Sequence, residues 1–285
     1  MYVPFIMGHF NLFGKSQFNS GYILILIVLF GISLRLFFFS GMDISDSLVY
    51  SEASHDLLKG DNIDFENSAT LSTRLGVIYP ISFSYLLFGV NEFSSILFVL
   101  ITSIGSIILI YLFGKLYFNS KVGLISAFLF SIFPLNVFYS TRINSDISSA
   151  FFMGVGLYLF LRSELKGNQN YIHYFLSGIF IGIGYLIRES VILIGLFFIT
   201  YILINRKIKY IYFLVPLGIL FILGFEMILF YNLTGDPFYR SLSSQDFLKD
   251  AMIKHNYFGR RNLPEGLFHY PWLFLTNKLL VFFYI

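Results

Sequence analysis

Long apolar runs separated by short polar breaks repeat along the whole chain, and this alternation is its dominant pattern. Runs such as Gly21–Phe39 and Phe213–Phe230 are long enough, as helices, to cross a hydrocarbon core of about 30 Å. Read this way, the pattern predicts spans at roughly 20–40, 94–113, 122–138, 147–161, 172–187, 190–205 and 212–231. A further span over 272–285 is still apolar at Ile285, the end expected of a truncated chain. The first run is too long for the core of a signal peptide and no small-x-small site follows it, so it reads as a retained span. The predicted fold class is all-α: a polytopic transmembrane helix bundle with an outer-face loop carrying interfacial helices over 41–90.

Two helices are expected inside that loop. Met42–Gly60 is amphipathic from Asp46 onward, with Ser45 or Asp46 as its cap and Gly60 closing it. Asp46 and Tyr50, four apart, share one face with Ser54, Leu57 and Leu58. The apolar stretch 75–90 makes a helix of only about 22 Å, short for a crossing. Charge decides its placement, because a crossing there would invert every later loop. If 75–90 lies along the surface, Lys15, Lys115, Lys121, Arg162, Lys166, Arg206, Lys207 and Lys209 all fall on the cytoplasmic side, accompanied only by Glu164. The outer side then receives the acidic 41–74, the turn at 139–146, Arg188-Glu189 and the long 232–271 loop, whose Arg240, Lys249, Lys254, Arg260 and Arg261 weigh less because the loop is long.

Composition supports a membrane chain and excludes several classes. Hydrophobic residues are 56% and charged residues 12%, more apolar surface than a soluble monomer can hide. The net charge of +3 is spread over many loops, so no nucleic-acid patch is indicated. Without cysteine there is neither a disulfide framework nor a thiolate metal site. The five histidines show no ligand spacing, although the carboxylates are of a kind that holds a weakly bound divalent cation such as Mg or Mn.

The chemistry-bearing residues gather on the expected outer face. Asp46 lies just beyond the first span, where it reads either as a helix cap or as an acid acting on a lipid-borne substrate. In Tyr139–Asp146, YSTRINSD, Arg142 and Asp146 are spaced for an ordinary i,i+4 ion pair, or for joint service of a cavity shared with Asp46. Arg188-Glu189 ends the fifth span and adds a third acid-plus-base group. Glu226, inside 212–231, is the one acid placed as a transporter would need it, and pairing with a neighbouring helix is its plainer explanation.

These motifs, in this order, resemble the integral-membrane glycosyltransferases of the GT-C fold, closest to the group of protein O-mannosyltransferases and lipid A aminoarabinose transferases. The group's acidic motif after the first span is matched by Asp46-Ser47-Leu48-Val49-Tyr50, with Ser47 where relatives carry a second acid. Arg74 through Leu87-Phe88-Gly89 resembles the following basic residue and surface helix, without a Lys-Pro-Pro common in relatives. Leu112–Phe118, Pro134, the 140–146 turn with Asp146 at its acidic position, and Asn232–Pro237 continue the likeness.

The resemblance implies a sugar transfer from a polyprenyl-phosphate-linked donor to a lipid, glycan or protein acceptor on the outer face of the membrane. It implies Asp46 and Asp146 as catalytic residues, with Tyr50, Arg74, Arg142, Arg188 and Glu189 as substrate-binding residues. The competing readings are a polytopic transporter or lipid flippase, and an inactive truncated GT-C scaffold. Neither an internal repeat nor paired glycine breaks favour transport.

Overall fold

The computed structural model describes residues 19–39, 41, 46–61, 63, 65, 70–165, 167, 170–206 and 209–245. The span expected at 272–285 lies outside them, as do Ser45, Lys15, Lys166, Lys207 and the basic residues beyond 245. Among the described residues every regular element is a helix, in agreement with the expected class. The helices are α1 (Ser20–Phe37), α2 (Asp46–Lys59), α3 (Leu75–Phe88), α4 (Glu92–Tyr117), α5 (Ser120–Ser131), α6 (Pro134–Ser140), α7 (Ser145–Leu165), α8 (Tyr171–Ile187), α9 (Ile194–Asn205) and α10 (Leu214–Thr234). Short 3-10 turns, Glu189–Leu193 and Tyr210–Phe213, lead into α9 and α10.

Asparagine starts four of these helices. Asn19, Asn91, Asn119 and Asn170 each accept a backbone N–H of the first turn, satisfying a donor that the helix itself cannot. Ser20–Phe37, Glu92–Tyr117 and Tyr210–Thr234 are each long and apolar enough to cross a membrane alone. The shorter apolar helices are α3, α8 and Glu189–Asn205; α3 and α8 pack against several neighbours, whereas α9 buries no residue.

The helix directions follow from who touches whom. Arg35 of α1 bonds Ser103 of α4 and Ser20 accepts from Tyr111, so α1 and α4 run antiparallel. Thr102 meets Ser148 at 2.9 Å, and Leu109 sits against Gly154, so α4 and α7 run parallel. The start of α4 therefore lies at the same end of the bundle as the start of α7. The chain passes from α3 to α4 through Gly89, whose φ of 74° suits glycine. Since α3 begins beside Ser145 of α7, through Arg74, both of its ends lie at that one end and it does not traverse the bundle. Leu75, Val77, Ile78 and Ile81 of α3 are buried against α2, α4 and α8, while Phe83, Leu86, Leu87 and Phe88 are exposed.

The segment expected as one span over 122–138 is two helices. α5 and α6 meet at an angle of 61°. Pro134 has no N–H to continue α5, and it holds Phe133 in extended backbone at φ −63° and ψ 116°. Arg35 secures this break. It is fully buried in α1, and its Nε donates to Ser103 Oγ at 2.9 Å, Nη1 to the Gly31 and Ser131 carbonyls, and Nη2 to Asn136 Oδ1 on α6. All its hydrogen-bond partners are neutral oxygens, one of them exposed by the bend itself.

At the opposite end of the bundle Glu164 joins four segments. Its carboxylate accepts from Tyr174, Tyr201 and Tyr212 and pairs with Lys209 at 2.9 Å. Burial pushes this carboxyl upward, but the hydrogen bonds from Tyr174, Lys209 and Tyr212 outweigh it and hold the group below the ordinary glutamate range. Between the two ends α8 and α10 approach so closely that a Cβ on Gly178 would collide with the Val215 carbonyl oxygen, and one on Gly218 with that of Phe175.

Two substitutions test this packing. Gly178→Ala should destabilise the protein by about 1–3 kcal/mol through overpacking, whereas Gly195→Ala, with open space around it, should cost nothing in the same thermal-unfolding assay. Arg35→Met strands the Ser131 carbonyl and takes one of two donors from Asn136 Oδ1, which keeps Ser103, a loss of about 1–3 kcal/mol. Hydrogen exchange should quicken over 132–141 and stay unchanged over 214–234.

Candidate active site

Four separate stretches of chain converge at the end of the bundle where α2, α3 and α7 begin. α2 supplies Asp46 at its first residue and Tyr50 one turn later. The residue before α3 is Arg74; the connection from α6 to α7 carries Arg142 and Asp146; Arg188 ends α8. All six line one open cavity of about 340 Å³.

Local backbone chemistry explains how each side chain arrives there. Asn144 Oδ1 accepts the Asp146 N–H at 2.6 Å, which starts α7 and sets Asp146 at its first turn. Arg142 precedes that helix, so the i,i+4 spacing has no helical meaning. Asp146 pairs instead with Arg188, and Arg142 lies over the Phe138 ring at 4.1 Å. Arg74 Nη1 donates to the buried Tyr50 hydroxyl at 2.8 Å and to Ser145 Oγ at 3.4 Å. Ser54 Oγ ties α2 to α3 by donating to the Tyr50 and Ile78 carbonyls.

Glu189 is the one sequence-selected residue that does not line the cavity. Arg188 has extended backbone, φ −154° and ψ 129°, so successive side chains point apart. Arg188 turns to the cavity while Glu189 lies between two arginines. Its Oε2 is 3.4 Å from Arg74 Nε, and its Oε1 accepts from Arg240 at 2.7 and 3.1 Å. Burial pushes the Glu189 carboxyl upward, but the Arg240 charge and hydrogen bonds, and then Arg74, hold it below the ordinary glutamate range.

Arg240 also forms a buried pair with Glu226, the acid that most favoured a transporter. Glu226 is therefore a neutralised partner within the bundle. Sequence reading placed Arg240 only among the basic residues of a long loop and passed over Arg35; an arginine inside an apolar run is the signal that marks the latter.

Among the described residues Arg74, Arg142 and Arg188 line the cavity with Asp46 and Asp146; Asp146 pairs with Arg188, and Arg74 has Glu189 behind it. Guanidinium groups gathered in this way can hold an anion. Among the described residues no three histidine or carboxylate side chains converge as metal ligands, and Asp46 with the ion-paired Asp146 makes a poor set for a divalent cation.

A family model described as dolichyl-phosphate-mannose-protein mannosyltransferase matches residues 75–231. The fold is similar to the crystal structure of ArnT from Cupriavidus metallidurans in the apo state, with a TM-score of 0.62 at 16% identity. The likeness covers 75% of this chain and 42% of that one. No curated protein matches the chain.

Proposed function

The chain belongs to the dolichyl-phosphate-mannose-protein mannosyltransferase family and is a multi-pass membrane protein of the GT-C fold, and from that footing we propose that it transfers a sugar from a polyprenyl-phosphate-linked donor to an acceptor hydroxyl on the outer face of the membrane. The observation that supports this reading is the cavity itself, where Asp46, the ion-paired Asp146 and three arginines meet beside a surface helix. Sidedness rests on charge. Lys115, Lys121, Arg162, Arg206 and Lys209 belong to the end away from the cavity, and this bias supports a cytoplasmic side for that end.

In this reading the lipid tail of the donor stays in hydrocarbon while its head enters the cavity. Asp46 is the general base. It takes the proton of the acceptor hydroxyl as that oxygen attacks the anomeric carbon, and the bond to the donor phosphate breaks with its electron pair remaining on phosphate. The charge that gathers on the leaving phosphate is met by Arg74, Arg142 and Arg188. Asp146 holds Arg188, and Tyr50 holds Arg74, so the cations are oriented before the charge appears. Anomeric configuration inverts in a single displacement of this kind. No step is routed through a metal ion.

Turnover of polyprenyl-phosphate sugars by purified membranes tests the proposal. Asp46→Asn should lower the transfer rate by at least about 100-fold while expression and insertion persist; full activity in that variant removes Asp46 from the chemistry. Arg142→Ala should raise the donor KM by about tenfold, the loss expected for a charge-assisted hydrogen bond, and leave acceptor KM unchanged. Unaltered donor kinetics would return Arg142 to a packing role against Phe138. If the unaltered chain turns over none of several sugars and acceptors, an inactive scaffold replaces the enzyme.

A further inference from the structure

Arg240 lies beyond α10, on a helical turn at 239–245 and outside the stretch matched by the family model. It does not line the cavity, yet it is only 5% exposed and every nitrogen of its guanidinium is engaged. Nη1 pairs with Glu226, Nη2 donates to the Tyr185 carbonyl at 3.1 Å, and Nε and Nη2 both donate to Glu189 Oε1. The Tyr185 ring lies beneath it at 4.9 Å. The charges alternate from α10 to the cavity wall: Glu226, Arg240, Glu189, Arg74. Two carboxylates and two guanidiniums balance, so no member is in excess.

The division of labour within Glu189 is uneven. One oxygen serves Arg240 twice, at 2.7 and 3.1 Å, while the other stands 3.4 Å from Arg74 Nε, beyond a good hydrogen bond. Arg74 Nε is buried and makes no hydrogen bond, whereas Nη1 is directed to Tyr50 and Ser145 at the cavity. An unrestrained carboxylate beside a guanidinium closes on it in a two-pronged pair, which would turn the Arg74 nitrogens from the cavity toward Glu189.

We propose that Arg240 is a positioning residue for Arg74: by holding one oxygen of Glu189 it keeps that carboxylate from closing on Arg74, whose Nη atoms then remain available to the donor phosphate. This rests on the reading of Arg74 as a phosphate ligand. It assigns to the segment after α10 a part in donor binding without contact with the donor.

The test is affinity for farnesyl phosphate, a short polyprenyl monophosphate, measured by titration calorimetry on the full chain in detergent, with farnesol as the control lacking phosphate. Arg240→Lys removes the planar fork and keeps the charge. It should weaken farnesyl phosphate binding by about tenfold, leave farnesol binding unchanged, and have less than a twofold effect when Glu189→Gln is already present. That non-additivity is what an effect relayed through Glu189 requires. Equal losses in both backgrounds, a parallel loss for farnesol, or no loss in Arg240→Lys would each overturn the proposal. Should Arg240→Lys fail to fold, Tyr185→Leu removes the ring beneath the guanidinium without touching its ion pairs and is carried through the same cycle, with a loss of about threefold expected. If the unaltered chain binds farnesyl phosphate no better than farnesol, or Arg74→Ala binds it as the unaltered chain does, the reading of Arg74 fails and this proposal with it. If Arg74→Ala loses binding and the Arg240 variants do not, only the relay fails.

Discussion

A charge taken out of water into an apolar bundle costs several kcal/mol unless it meets a partner with good geometry, and this chain's described interior is arranged around that requirement. Glu226 and Arg240 neutralise each other at the α10 side of the bundle, and Glu189 carries the alternation on to Arg74. Glu164 collects three tyrosine hydroxyls and Lys209 at the opposite end. Arg35 follows a different course, surrounded by neutral acceptors, and its position at the α5–α6 break shows what it is spent on. A helix broken inside a bundle exposes carbonyls, and a buried guanidinium is the side chain with enough donors to take them while bridging to the next helix.

The cavity depends on these interior arrangements more than on its own lining. Without the bend at Pro134, a straight helix would carry the chain past the level at which Arg142 and Asp146 now face Asp46. The extended residue at Arg188 separates two adjacent charges onto two tasks, one lining the cavity and one supporting it from behind. Sugar transfer from a lipid phosphate asks for a base near the acceptor and cations near the leaving group. In the proposed reading Asp46 supplies the first and the three arginines the second, all lining one cavity of about 340 Å³ beside α2, which Ser54 ties to α3.

Much of this was legible before any coordinates, because it rests on local pattern. Apolar runs of membrane length mark helices wherever they occur. The polar residues Asp46, Tyr50, Arg74, Arg142, Asp146 and Arg188 were readable as a group because they fall at the ends of runs on the same side of a charge-sorted topology. The bend at Ile132–Phe133 was less visible, since the run continues apolar across it and length alone made one span of two helices.

The sequence by itself determined an all-helical membrane chain and the set of polar side chains that share one end of the bundle. Those properties follow from hydrophobicity and charge counted along neighbouring residues. Only the tertiary structure decided which charge meets which. Arg240 lies 51 residues from Glu189, and Arg35 lies 101 from Asn136. Asp146 chose Arg188 over the nearer Arg142 because α7 begins between them. An ion pair is set by distance through space, and for Glu189 and Arg240 that distance follows from the close packing of α8 against α10 at Gly178 and Gly218.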